Sequence, residues 1–323
     1  MNITVLSGGV GGAKFLQGVE EFVAHEKRVS GADIRVSAIV NTADDFWLSG
    51  LRVCPDLGSV MYALAQVNDT ERGWGRADES YRVQTELTTY GAGWDWFTLG
   101  DLDIATHIAR TGWLQAGESL TAVTHRLAQR WQISTALLPM TDAEVETRVL
   151  IEGDRESLHL EEWWVKHRAQ IPASGFFYEG AATARASDEA LRAITHADVV
   201  LVAPSNPVVS IRPILAIADI KTALRETSAR VVGVSPIIGD APIRGMAKQC
   251  LDAVDAHCSA AGVASYLGAR ESGGLLDAWL IATEDHDARD AVVEQGIDCL
   301  STNLWMRDPK TTAHIVREAL TLA

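Results

Sequence analysis

Several features are scarce in this chain, and each scarcity removes a class of explanation. The four cysteines, Cys54, Cys250, Cys258 and Cys299, form no C-x-x-C pair and have no histidines at zinc spacing. Neither a disulfide framework nor a structural zinc site is expected, and the thiols read as reduced cytosolic ones. Long apolar runs are missing, and the opening MNITVLSGG carries no basic n-region; a signal peptide and a transmembrane helix are therefore not expected, which predicts a cytoplasmic protein. Positive charge is also short: 28 Lys and Arg stand against 43 Asp and Glu, a formal charge of -15, and the basic residues never gather into a run. Neither a nucleic acid nor a membrane is expected as partner. A phosphorylated small molecule stays compatible, because backbone N–H groups, a few basic side chains or a divalent cation can reverse the field locally. Repeats, low-complexity tracts and long linkers are absent too.

What is present is enough apolar material for one large core or for a core domain carrying a smaller one, with 47% of 323 residues hydrophobic. ITVLSG at 3–8 is a short β-branched run ended by glycine, and from Phe15 the apolar residues recur at Leu16, Val19, Phe22 and Val23, the pattern of strand, turn and amphipathic helix. IRVSAIV at 34–40 supplies a second strand, so residues 1–40 read as a β-α-β unit with a right-handed crossover. Between 59 and 131 the β-branched runs vanish, and Leu120, Val123, Leu127 and Trp131 follow Ser119 at helical spacing. Trp47, Trp74, Trp94, Trp96, Trp113 and Trp131 cluster in this part of the chain, where packing is their ordinary role. Strand character returns in TALLPM, in 147–153, in LHLEEWWV at 158–165, and in 198–204, 229–236 and 278–283. A helix is expected over 246–254, and a last one begins at Asp308 as N-cap with Pro309 behind it. The sum is an α/β fold: a Rossmann-like, mostly parallel sheet formed by 1–58 and 132–323, with an inserted small helical domain over 59–131.

Four of these strands run into loops rich in Gly, Pro, Ser, Asn and Asp: SGGVGGAK, NTADDFW, PSNPVVSI and SPIIGDAPIRG. In open α/β sheets such loops converge outside the carboxyl ends of the strands, where ligands bind. The first loop fits neither familiar phosphate motif. A dinucleotide fingerprint starting at Gly9 needs glycine where Lys14 stands, and a Walker A lysine would follow glycine rather than Ala13. Its physics survives the failed match, since glycines let the backbone approach a phosphate and the following helix offers free N–H groups. Gly9, Gly11, Gly12 and Lys14 are therefore expected at a phosphate or ribose, as are Ser205 and Asn206, held between two prolines at a helix start. SPIIGDAPIRG, with Arg244, reads as a stiff wall. In GDLDIATH, Asp101 and Asp103 precede a helix on which Asp103 and His107 share a face, and HLEEWWVKHR reads as an edge strand with aromatic cover.

Taken together, SGGVGGAKFL, NTADDFWLSGLRVCPDL, ERGWG, GDLDIATH, PSNPVVSI and SPIIGDAPIRG resemble, in order and over nearly the whole chain, the 2-phospho-L-lactate transferase family of coenzyme F-420 biosynthesis. The wording of GLRVCPDL and ERGWG is most similar to actinobacterial members, whose transferred unit is phosphoenolpyruvate. The resemblance implies a Rossmann-like core with a helical insertion, Mg2+ as cofactor, and two small-molecule substrates. One is a guanosine diphosphate-linked three-carbon acid and the other the deazaflavin alcohol FO, whose ribityl hydroxyl attacks phosphorus as GMP leaves. It also implies site roles. Asp45 and Asp56 are expected as metal ligands, with one of them or Asp44 accepting the hydroxyl proton. Asn41, Thr42 and Trp47 are expected to meet FO, with Asp101, Asp103 and His107 near the same pocket. Gly9, Gly11, Gly12, Lys14, Ser205 and Asn206 fall to the donor nucleotide. A cation also follows from charge, because a diphosphate beside three acids in a chain of -15 would otherwise be repelled.

Two positions depart from the family pattern: relatives commonly continue PDLD where Gly58 stands, and commonly carry a basic residue at Leu102. Two rival readings fit the residues less well. Nucleotide-sugar-binding regulators of the YvcK type resemble DDGGSSG rather than DDFWLSG here, and an NAD(P)-dependent oxidoreductase would need the glycine fingerprint that fails. The residues do not say which three-carbon acid is moved, and a homodimer is compatible with them without being fixed by them.

Overall fold

Val5 and Leu6 are neighbours on the first strand, yet they enter different apolar cores on opposite faces of one sheet. The computed structural model describes residues 1–92, 96–153, 156–243 and 245–323; Trp94 and Arg244 lie outside these. Along the chain, β1 (Asn2–Ser7) leads through α1 (Gly9–Ser30) to β2 (Arg35–Val40). A hairpin of β3 (Phe46–Leu48) and β4 (Leu51–Val53) precedes α2 (Pro55–Leu64), α3 (Arg82–Thr89), α4 (Asp101–Gln115) and α5 (Leu120–Gln129). Then come β5 (Ala136–Pro139), β6 (Glu146–Ile151), β7 (Ser157–His159), β8 (Ala173–Glu179), β9 (Val199–Val202) and β10 (Arg230–Val234). A short hairpin of β11 (Ile237–Ile238) and β12 (Ala241–Pro242) is followed by β13 (Ala278–Ala282), β14 (Asp298–Thr302) and the last helix, Pro309–Leu320.

The main sheet has seven strands in the order β14-β13-β10-β9-β1-β2-β5, and every pairing in it is parallel. Strands buried on both faces explain the continuous apolar runs at 199–202 and 278–282, all fully buried. The expected α/β class therefore holds. Gly18 lets α1 lie directly on the final helix at Thr312, where any side chain would collide, and Asp308 caps that helix through a capping box.

In the segment expected as an insertion, Val60 and Met61 of α2 and Leu120, Val123 and Leu127 of α5 join the same core as Val36, Ala38 and Leu137 of the sheet. A smaller core of Phe46, Val53, Phe97, Leu99 and Ile104 ties the β3–β4 hairpin to the start of α4. β6, β7 and β8 form a separate antiparallel sheet.

The long strand expected at 158–165 is not one. Strand β7 stops at His159, and Glu162–Lys166 is a π-helical turn, closed by the His167 N–H on the Glu162 carbonyl at 3.1 Å. Helical rather than alternate spacing lets Trp163 enter the core, donating to the Ile171 carbonyl at 2.8 Å, while Leu160, Glu161, Trp164 and Val165 share another side.

Candidate active site

The loops after β1, β2, β9, β10 and β14 open on one edge of the sheet, and together with residues of the inserted segment they enclose a cavity of about 600 Å³. Strands lie about 4.8 Å apart, so strand order sets the sequence of groups along it: Trp305, Met306 and Arg307 beyond β14 at one end, Asp44 beyond β2 toward the other.

Near the middle, α1 begins immediately after β1. Its N-cap Gly8 has no side chain to satisfy the first N–H groups and the first turn holds no acid, so the positive end of the helix opens on a cavity lined by Gly9, Val10, Gly11 and Lys14. Gly9 has φ +61°, and a Cβ on Gly11 would stand 2.6 Å from the Pro204 carbonyl oxygen, so both glycines are required by the turn. Gly12 turns inward against Ser7 and Ser205 and does not line the cavity.

Ser205 does line it, but its hydroxyl is already engaged, donating to the Gly8 carbonyl at 2.7 Å and accepting the Gly8 N–H at 3.2 Å. It shapes the glycine turn. Asn206 caps a second π-helical turn, Pro207–Ile211, with Oδ1 accepting the N–H groups of Val208 and Val209. Its Nδ2 is a buried donor without a partner among the described residues.

Asp44, Asp56 and Glu161 are the acids at the centre of this lining. Burial first, then the neighbouring Asp56 and Glu161, push Asp44 well above the ordinary carboxylate range. Burial likewise raises Asp56 to about 7, against bonds from Asn41 and the Gly9 N–H that favour its charge. Glu161 is raised to about 8 by burial and by Asp56 and Asp45. Buried acids close enough to raise Asp44 and Glu161 by their charge form a site prepared for positive charge. Among the described residues, no three His, Cys, Asp or Glu side chains are already drawn to ligating positions around one point.

Asp45 has a different place. Asp45 is fully buried and outside the cavity lining, with Arg52 Nη2 at 3.9 Å and the Cys54 thiol and Arg110 close by. Neither oxygen accepts a hydrogen bond among the described residues, and burial, partly offset by Arg52, raises it to about 6. Asp44 therefore stands beside Asp56 in the cavity lining, while Asp45, expected as a ligand, lies behind that lining and still raises Asp56 and Glu161 through its charge.

The expected acceptor set divides in the same way. Asn41 faces inward and donates to Asp56 Oδ2 at 3.0 Å, and Thr42 is buried with an unpartnered hydroxyl; neither lines the cavity. Trp47 lies outside it on the β3–β4 hairpin, 44% exposed, with its indole N–H on Glu144 at 3.2 Å and Arg52 over the ring. Of the tryptophans between 47 and 131 that are described, Trp74 of ERGWG lines the cavity, with Phe97 at 6.5 Å and with Leu99 and Val165 also in the lining. Asp101 is spent on the Ser80 hydroxyl and the Val83 N–H, at 2.6 and 3.1 Å, and does not line the cavity. Asp103 and His107 do, together with Tyr62. Although burial opposes its charge, Asp103 is held below the usual carboxylate range by His107, by the bonds from His107 and Tyr62, and by Arg110. Gly58 borders the cavity, whereas Leu102 is exposed.

The sequence reading missed Tyr62, Glu161, Ser210, Trp305 and Arg307, all of which line the cavity. Only Glu161 left a signal, an acid pair set between apolar residues in HLEEWW.

Comparison with known proteins agrees with this layout. Residues 3–307 match the family described as 2-phospho-L-lactate transferase CofD. A phosphoenolpyruvate transferase of Mycobacterium tuberculosis is 47% identical over 332 residues, covering 100% of this chain and 99% of its own. Those of Nocardia farcinica and Streptomyces coelicolor are each 48% identical, covering 99% and 100% of this chain and 94% and 98% of theirs. A Bacillus halodurans protein of the UPF0052 family shares the fold, with a TM-score of 0.61 at 17% identity and 98% of each chain covered.

Proposed function

The chain belongs to the 2-phospho-L-lactate transferase CofD family, and from that membership we propose that it transfers a three-carbon acid phosphate in coenzyme F-420 biosynthesis. The unit moves from a guanosine diphosphate-activated donor to the ribityl hydroxyl of FO, with release of GMP and formation of (dehydro-)coenzyme F-420-0. Relatives named phosphoenolpyruvate transferase, 47% and 48% identical, favour phosphoenolpyruvyl over 2-phospho-L-lactyl.

One observation carries this reading: a single cavity is lined by the open N-terminus of α1, by the aromatic residues Trp74 and Phe97, and by Asp44, Asp56 and Glu161. The N–H groups after Gly9, with Lys14, Asn206 Nδ2 and Arg307, suit the anionic donor. The aromatic end suits a flat deazaflavin. The reacting hydroxyl and phosphorus then meet at the acids.

The donor set fits Mg2+. This ion is commonly held by one or two carboxylates and completed by substrate phosphate oxygens and water, which agrees with acids that face one cavity without forming a closed cage. Asp44 and Asp56 would hold it. When bound it supplies positive charge against the transferring phosphoryl group and the departing GMP. The protein's own work is positioning and proton removal. Asn41 and the Gly9 N–H orient Asp56, and Ser205 fixes the turn that faces the donor. Glu161, raised to about 8, would lose its proton as Mg2+ binds beside it, and as the carboxylate it would take the proton from the attacking hydroxyl.

The test is incubation with FO, GTP, Mg2+, a partner guanylyltransferase and either phosphoenolpyruvate or 2-phospho-L-lactate, with the product weighed by mass spectrometry. A product of FO joined through a phosphodiester to the three-carbon acid is expected, with one GMP per turnover. Unmodified FO with both acids would overturn the reading.

A further inference from the structure

The two carboxylate oxygens of Asp103, in the first turn of α4, are in different circumstances. Oδ1 accepts the Tyr62 hydroxyl at 2.6 Å and lies 3.2 Å from His107 Nε2. Oδ2 takes part in no hydrogen bond among the described residues, although the side chain is only 10% exposed. The cavity is the space that Asp103, Tyr62 and His107 border together.

The carboxylate is fixed from behind. Arg110 Nη1 sits 2.6 Å from His107 Nδ1, and a guanidinium can only donate, so Nδ1 carries the lone pair and the ring proton sits on Nε2, toward Asp103. Burial, and after it Arg110, hold His107 below its ordinary value against the pull of Asp103. Arg110 is itself buried and reaches the Arg52 carbonyl at 3.3 Å. The backbone N–H groups of Leu102 and Asp103 are both held at 2.8 Å by Glu79. Tyr62, His107, Arg110 and Glu79 thus leave an ionised carboxylate in one orientation, with one oxygen to spare, in the lining that also holds Trp74 and Phe97.

A charged acceptor with no protein partner on a largely apolar cavity wall is completed by water or by a ligand donor that displaces it. We infer that Asp103 Oδ2 determines specificity for the acceptor substrate by taking a hydrogen bond from an N–H or hydroxyl on the edge of its flat ring, with Tyr62, His107 and Arg110 as positioning residues. The inference rests on the reading of this end of the cavity as the acceptor pocket. Sites that use a buried polar group to hold a ligand donor reject analogues lacking it, because the protein group is then stranded.

The experiment measures KM for FO and for two analogues, one methylated on the ring nitrogen and one on the ring hydroxyl, in the wild type, Asp103→Asn and Tyr62→Phe. Asp103→Asn is expected to raise the KM for FO about 10- to 100-fold, the range of a hydrogen bond to a charged group, and to raise it far more than it lowers kcat or shifts the donor KM. One analogue should bind the wild type as poorly as FO binds Asp103→Asn, and lose little more in the variant. Tyr62→Phe, which removes one hydroxyl from Oδ1, should give the same split at a few-fold and serves if Asp103→Asn does not fold. An unchanged KM for FO in both variants, or wild-type affinity for both analogues, overturns the inference alone. A wild type that uses the activated donor but not FO overturns the acceptor reading with it.

Discussion

Asn41 donates one amide hydrogen bond to Asp56 Oδ2 at 3.0 Å and another to the Val209 carbonyl at 3.3 Å, while its Oδ1 accepts the Ala43 N–H at 2.9 Å. One buried side chain thus ties the end of β2 to the first turn of α2 and to the π-helical turn after β9. Asn41→Ala should misplace Asp56 and leave these groups unsatisfied. We expect kcat to fall about tenfold or more with little change in KM for FO, and stability to fall by about 1–3 kcal/mol. Steady-state kinetics with a urea titration measure both, and full activity in a stable variant would remove Asn41 from the positioning role.

Asp44, Asp56 and Glu161 should separate from Asp45 in a mutant series. Asp44→Asn, Asp56→Asn and Glu161→Gln should each lower kcat about a hundredfold or more without unfolding the protein, because each removes a charge that burial already disfavours. Asp45→Ala instead strips the acid that faces buried Arg52 and lies near Arg110, and should lower stability by about 3 kcal/mol. Denaturation and activity are measured on the same preparations. A stable but inactive Asp45→Ala would return Asp45 to the reaction centre.

Trp74→Ala should raise the KM for FO by about tenfold, within the range of one lost stacking partner, whereas Trp47→Ala should stay within about twofold. The difference follows from position alone, since Trp74 lines the cavity and Trp47 lies outside it. Equal effects from the two would place the ring elsewhere.

Melting temperature should depend on pH and on Mg2+ together. Asp56 and Glu161 bind protons more tightly when folded, at about 7 and about 8, than their ordinary values of 3.8 and 4.5. Through that window the folded state holds more protons than the unfolded one, so stability falls as pH rises from about 5 to 8. Mg2+ should reverse part of the fall at pH 8 and do little at pH 5, where the acids are protonated. A scan in EDTA and in excess Mg2+ at several pH values tests this, and a Mg2+ effect independent of pH would contradict it.

Much of the fold could be read from the chain because the signals are local. The runs at 3–7, 35–40, 199–202 and 230–234 carry their own strand character, and Asp308 with Pro309 announces the last helix. β14, whose DCLST is half polar, and the π-helical turn at Glu162–Lys166, whose residues also suit a strand, are not decided by local pattern.

The sequence by itself determined the parallel sheet, the convergence of its loops and the family, since spacing and residue type along one stretch of chain suffice for each. Only the tertiary structure decided which side chains enter the cavity. Asp44 and Asp45 are adjacent and chemically identical, yet Asp44 lines the cavity while Asp45 is buried behind it, 3.9 Å from Arg52. Likewise Trp74 lines the cavity and Trp47 does not. Orientation at a turn depends on what packs behind it, and here that is Arg52, Glu161 and α4, which lie far along the chain and meet this loop only in the folded protein.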